Sequence, residues 1–327
     1  MDQSTSLPTQ KYENVELLRG LAALGICLYH YGHGFLEDGN IFKIFTEPLY
    51  LGVDVFLIIT GFTLTLSLFK QNYSVKDFWQ YIIKRLVRIE IPYYASLLLV
   101  IAMAYGSKLF PQYEWKGLQL DFWSISAHFF HLNDILGLKW LHEVYWTLAV
   151  QVQYYIFMGF AFIGLSYPNK LVNYFFLILF FLSQFVSTKP YFTYFSSTFI
   201  IGIVFALYYL KRENIYFLLI SLIIVLSTTF IFSTQSHFVT QLLTSIILFF
   251  PNFSNSITNY LGKISYSIYL THLTIGWSFI GFAKDVLHFN NYTILLIVFA
   301  TLISIVFANY FYLYIELPSS NLLKTKK

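Results

Sequence analysis

Ten stretches of mainly apolar residues, each near the ~20 that cross a bilayer as a helix, limit what this chain can fold into. They lie at about 15–35, 48–69, 89–106, 143–166, 171–188, 191–210, 214–233, 237–251, 260–282 and 292–316, the eighth being the shortest. Hydrocarbon offers no hydrogen bonds, so such a segment must satisfy its own backbone, which a helix does internally. Composition agrees: only 11% of residues are charged, against about 25% in an ordinary soluble domain, and mean hydropathy is +0.63. No linker rich in Pro, Gly or Ser divides the chain. The sequence predicts an all-α, polytopic membrane protein, a single bundle of about ten transmembrane helices.

Basic residues set the orientation, because they concentrate on the cytoplasmic side. With the N-terminus inside, fourteen Lys and Arg fall on the inner side, among them Arg19, Lys84, Arg85, Arg88 and Lys263. Six fall outside: Lys43, Lys108, Lys116, Lys139, Lys189 and Lys284. Both termini are therefore expected in the cytoplasm, as tails 1–14 and 317–327 around a membrane domain 15–316, in the inner (plasma) membrane. The polar start lacks the pattern of a cleavable signal peptide. A net charge of +4 is too small to suggest nucleic acid. Cys27 is the only cysteine, so no internal disulfide and no cysteine metal cluster is expected, and neither a metal nor a permanently bound cofactor is foreseen. The stretch 107–142, rich in Trp and Tyr, reads as a segment lying at the outer lipid–water interface.

The first span, ELLRGLAALGICLYHYGHGF, carries charge at one end and His30 and His33 far along it. Arg19 and His30 are eleven residues apart, just over three turns, so they share a face with an axial offset of roughly 16 Å. An ionisable residue inside a membrane costs several kcal/mol and is a functional candidate by default; the plainer reading is a histidine bonded to a neighbouring helix. Asp54 in GVDVFLIITGF, His272 in LGKISYSIYLTHLTI, and Glu143 and Gln151 on the fourth span are expected at similar depth. An Asp beside a His fixes its tautomer and raises its basicity, so Asp54 is expected to meet His30 directly or through one intervening group. The competing reading has Gly52, Asp54 and Gly61 shaping a helix junction.

On the inner side Lys84, Arg85 and Arg88 form the densest basic patch. It reads either as ordinary topology or as a phosphate clamp, for which Arg forks suit bidentate contact. Cys27 reads as a small packing residue rather than an acyl carrier, since reactive thiols need an electropositive, partly exposed setting.

Five motifs then occur in order: Arg19–Gly20–Leu21 with His30, GVDVFLIITGF, KRLVRIEIPYY, WTLAVQVQYY and LGKISYSIYLTH. Together, over nearly the whole chain, they resemble the acyltransferase 3 family of membrane acyltransferases. The resemblance implies transfer of an acyl group, usually acetyl, from cytoplasmic acyl-CoA to a hydroxyl of an extracytoplasmic glycan such as O-antigen, capsule or exopolysaccharide. It makes His30 the essential histidine and Arg19 its paired arginine, with Arg85 and Arg88 on the donor, where the neighbouring Lys84 of the basic patch is expected to join them. Asp54 and Glu143 are the candidate carboxylates, and Trp146, Gln151, Tyr269 and His272 are expected to line the site. Acyl-CoA enters as co-substrate; the other expected partners are a glycan or lipid-linked glycan acceptor and the bilayer. His30 would act as general base on a sugar hydroxyl, or as nucleophile through an acyl-imidazole.

The chain also departs from the family. Gln151 stands where Glu is common and Thr60 where Ser is usual. Many relatives carry a fused esterase-like domain, which these 327 residues do not contain, so acceptor selection is expected in the membrane domain or in a separate partner. The alternative class, a transporter or flippase for a lipid-linked glycan, predicts repeats and paired broken helices, and the sequence shows neither.

Overall fold

The structure, a computed structural model, describes residues 13–113, 120–189, 191–250, 253 and 255–322. Among them the protein is 83% helix without a strand. Helix α1 spans Glu13–Phe35, and a short α2 (Ile41–Thr46) leads through a 3₁₀ turn at Glu47–Leu51 into α3 (Gly52–Lys70). Next come α4 (Phe78–Ser107), α5 (Phe122–Phe129), α6 (Trp146–Ser166), α7 (Lys170–Leu182), α8 (Ser196–Tyr209), α9 (Ile215–Phe232) and α10 (Gln235–Phe249). Helix α11 (Ser256–His272) passes through a π-helical turn, Leu273–Trp277, into α12 (Ser278–Asp285). Helix α13 (Thr293–Phe311) passes through a second, Tyr312–Glu316, into α14 (Leu317–Asn321).

Helix occupies all ten apolar stretches. Among the described residues six segments are long and apolar enough to cross a membrane: Ile41–Lys70, Val75–Ser107, Glu143–Ser166, Phe192–Tyr209, Ile215–Phe232 and Asn290–Asn321. The other four are shorter or more polar. The expected tails fall largely on residues 1–12 and 323–327, outside the described residues, while helix continues past 316 to Asn321.

Two close crossings set the architecture. Helices α1 and α11 run parallel, with Glu16 beside Gly262, His30 beside His272, and Gly34 beside Trp277. A Cβ on Gly262 would lie 2.3 Å from the Glu16 carbonyl oxygen, and one on Gly20 would lie 2.9 Å from Leu261 Cβ. Small residues let backbones approach in this way where lipid supplies no hydrophobic drive. Since Arg19 and His30 share a face, both are carried along α11. Helices α3 and α8 cross equally closely through Gly61 and Gly202, at the centre of the largest apolar cluster. Gly52 abuts Ala22 and Ile26 of α1, so the glycines around Asp54 do shape helix junctions.

The segment between α4 and α6 corrects its sequence reading. Rather than lying across the helix ends, residues 120–142 turn back along α4. The Tyr93 and Tyr94 hydroxyls donate to the carbonyls of His128 and Phe129, and His131 Nε2 lies 3.0 Å from Glu90 Oε1. Glu90 stands seventeen residues before α4 ends at Ser107, about 25 Å along the axis. The residues at 114–119, including Lys116, lie outside the described residues.

Cys27 is wholly buried in a cluster with Tyr31, Ile280, Ala283, Leu296, Ile297 and Ala300. A thiol sealed this way has no route to an acyl donor. Cys27→Ala is expected to keep most of the transfer activity, measured in isolated membranes; complete loss with intact folding would restore the acyl-cysteine route.

Candidate functional site

A cavity of about 640 Å³ opens between α1, α3, α4, α6 and α11. Its basic end holds Arg19, Arg85, Arg88 and Lys263, with Glu16 and Glu316 as the acidic members of the wall. Arg19 is 3.7 Å from Glu16 and only about a quarter exposed. Arg85 lies over the rings of Tyr155 and Tyr81 at 5.9 and 6.0 Å, a placement that favours a flat guanidinium over an ammonium. Glu316, in the second π-helical turn, is buried and accepts the Ser267 hydroxyl at 2.6 Å. Lys84 is exposed and is not part of this wall.

The middle of the wall carries the Gln151 substitution. Its amide donates to the Tyr155 hydroxyl at 2.7 Å and to Thr60 Oγ1 at 3.4 Å. A carboxylate there would instead accept from both hydroxyls, so the amide replaces an acceptor by a donor without leaving either neighbour stranded. The far end is closed by Phe56, Thr147, Leu148 and Tyr269, with the Tyr269 hydroxyl donating to the Val144 carbonyl at 2.8 Å.

Just beyond Tyr269 stands His272, ring centroids 6.2 Å apart, and His30 lies 5.3 Å from His272. Nδ1 of His272 is 3.0 and 2.9 Å from the carbonyl oxygens of Ile268 and Tyr269. Both are acceptors only, so Nδ1 carries the proton; in the neutral ring Nε2 is then an acceptor. That Nε2 is buried with no partner among the described residues. The following π turn releases the His272 carbonyl, which accepts the Tyr31 hydroxyl at 2.8 Å. Such turns inside helices are frequent at functional sites. His142 packs nearby, its Nε2 2.8 Å from Thr274 Oγ1.

Asp54 does not pair with His30. Its carboxylate meets His237 Nδ1 at 2.8 Å and accepts from Gln241 Nε2 at 3.2 Å, both on α10. The reason is register. Gly52 abuts Ala22, and Ala22 stands eight residues before His30, so Asp54 lies roughly 12 Å further along α1 toward the basic end. Glu143 is exposed and lies outside the cavity wall. Trp146 stacks on Phe195 at 5.6 Å and lies outside the cavity wall. His33 is exposed, with Nδ1 3.4 Å from Glu47. Among the described residues no group of His, Cys, Asp and Glu is arranged to hold a metal ion.

Sequence reasoning missed His237, Glu316 and Tyr155. The available signal for the first was His237 and Gln241 four residues apart on a short apolar helix, one polar face with no assigned partner.

A family model described as an acyltransferase domain matches residues 12–312. The chain belongs to the acyltransferase 3 family. Membership agrees with the ordered motifs; of their side chains Arg19, Arg85 and Arg88 line the cavity, while His30 lies beyond its wall. The chain is 27% identical over 151 residues to the O-acetyltransferase OatA of Staphylococcus aureus NCTC 8325, covering 42% of this chain and 23% of the relative. It is 29% identical over 160 residues to SACOL0978 of S. aureus COL, named provisionally as an O-acetyltransferase, covering 43% of this chain and 23% of that one. The chain thus spans about a quarter of the length of these relatives. No solved structure matches it.

Proposed function

We propose that this acyltransferase is an O-acyltransferase that moves an acyl group, acetyl by default, from cytoplasmic acyl-CoA to a hydroxyl of an extracytoplasmic glycan. The observation that carries this reading is the cavity of about 640 Å³, basic at one end and ending one helical turn from the His272–His30 pair. Its size suits a sizeable ligand, since such pockets run from about 300 to 1,000 Å³. Basic residues favour the cytoplasmic side, which puts Arg19, Arg85 and Arg88 where a polyanionic donor arrives. CoA phosphates held there leave the long, nearly neutral pantetheine arm to climb the cavity, and the offset of roughly 16 Å between Arg19 and His30 is the distance it covers.

When the substrates bind, the His30 ring turns its N–H to His272 Nε2, an acceptor with no partner among the described residues, and keeps the lone pair of its other nitrogen. That nitrogen removes the proton from the acceptor hydroxyl as the oxygen attacks the thioester carbonyl. The tetrahedral intermediate expels the CoA thiolate, which takes the proton back from His30. The ester remains on the glycan. The test is to produce the protein in cells lacking it and measure base-releasable acetate on surface glycans; no gain over the control would defeat the proposal.

Arg85 and Arg88 give a separate prediction. Losing one charge-assisted phosphate contact costs about 1.5–3 kcal/mol, so Arg85→Ala and Arg88→Ala should each raise the apparent KM for acetyl-CoA about tenfold or more. Arg→Lys keeps charge but loses the fork, so it should fall between. Donor dependence unchanged in both Ala proteins would assign these arginines to topology alone.

A further inference from the structure

The donor cavity makes no use of the far side of His30. There Tyr29 packs edge-on to His30 at 5.0 Å, stacks on His33 at 5.4 Å and meets Tyr50 at 5.5 Å. Tyr50 in turn stands edge-on to His237 at 6.0 Å. These rings come from α1, the 3₁₀ turn before α3, and the start of α10, and all are partly or fully open to the surroundings. They form a continuous aromatic and imidazole shelf that begins at His30.

The shelf is held from beneath. Asp54, with a side chain only 5% exposed, fixes His237 at 2.8 Å. Gln241 donates to Asp54 and to Thr198 Oγ1, and accepts the Thr229 hydroxyl at 2.9 Å. An unpaired carboxylate in a membrane domain is costly, and apolar packing alone could join α10 to α3. What the buried pair adds is a fixed orientation for His237 at the shelf's edge.

The chemistry of the rim narrows the occupant. Glu47 is exposed 3.4 Å from His33 Nδ1, and exposed Glu143 lies close enough to act on Tyr29 electrostatically. Two carboxylates repel phosphate and sulfate, and a lipid tail has no use for them. A pyranose ring has apolar C–H faces that fit flat aromatic rings, and hydroxyls around its edge that donate to carboxylates and imidazoles.

We propose that Tyr29, His33, Tyr50 and His237 form the acceptor subsite, binding uncharged sugar rings end to end so that one hydroxyl reaches His30. This rests on the proposed O-acyl transfer and gives Asp54 the part of positioning residue for the subsite rather than for His30.

The test uses cells producing the full-length protein, read by base-releasable acetate on surface glycans. The detergent-solubilised protein is read in parallel by the thermal shift that acetyl-CoA induces. Tyr29→Ala and Tyr50→Ala are each expected to lower surface acetate about tenfold with the acetyl-CoA shift unchanged, while Tyr50→Phe retains most of the acetate. Wild-type acetate in both Ala proteins overturns the subsite. So does loss of the acetyl-CoA shift in step with acetate, which would make the rings structural. A wild-type protein that adds no acetate refutes the transfer reaction itself, and the subsite falls with it.

Discussion

Acyl transfer falls by about 10²- to 10⁴-fold in the His30→Ala protein, the range set by removal of a positioned general base, while the protein still accumulates in the membrane. The structural case for separating activity from folding is specific. The His30 ring is only partly buried, and it meets its surroundings through ring contacts with Tyr29 and His272 at 5.0 and 5.3 Å. Among the described residues it forms no hydrogen bond that holds one helix to another. Tyr31, by contrast, ties α1 to α11 and α13 through the His272 carbonyl and Ser304. Truncating His30 therefore removes a reactive nitrogen and little packing. His30→Gln should be as inactive, because an amide bonds but does not take up a proton at neutral pH. Thermal unfolding in detergent and base-releasable acetate, measured together, decide the matter. A protein retaining more than roughly a tenth of wild-type transfer would make His30 a packing residue and move the base to His272 or His142.

What the sequence made legible follows from what each signal contains. Apolar runs report removal from water directly, so helix was readable in all ten stretches, including short α10, of which six segments among the described residues are long and apolar enough to cross a membrane. The offset between Arg19 and His30 was readable because both lie on one helix, whose geometry is known before folding. Arg85 and Arg88 reached the cavity wall for the same reason: their three-residue spacing is local. Asp54 failed because its partner depends on register between helices. Depth counted from each span's own end placed it level with His30; the contact of Gly52 with Ala22 sets it lower, facing α10. Lys84 lies outside the cavity wall, because a basic cluster at a helix end does not say which members turn inward. Glu316 was the last residue of a span read only as mainly apolar, and the π-helical turn that carries it has no clear mark in the sequence.

The second large effect concerns the crossing that holds α3 in place. Gly202→Leu should leave the protein poorly accumulated and, in detergent, unfolding far below the wild type. A Cβ at Gly202 would lie 2.0 Å from the Ile58 carbonyl oxygen and 2.5 Å from the Phe62 nitrogen; one at Gly61 would lie 2.3 Å from the Phe199 carbonyl oxygen. These are backbone atoms on both sides, so no rotamer change relieves the clash and the helices themselves must separate. Overpacking a core ordinarily costs about 1–3 kcal/mol, and a separation that also opens the contacts around Phe62, Phe199 and Phe205 should exceed that. The consequence reaches the site, because α3 supplies Phe56, Thr60 and Thr63 to the cavity wall and Asp54 to His237. Gly202→Ala should show the same defect in milder form. Gly106 is the control: it lies within α4, where an added Cβ meets nothing within 4 Å, and Gly106→Ala should be neutral or stabilise by up to about 1 kcal/mol. If Gly202→Leu unfolded within a few degrees of wild type while Gly106→Ala behaved as stated, the α3–α8 crossing would not be the contact that fixes the cavity, and the position of α3 would have to be set by α1 through Gly52.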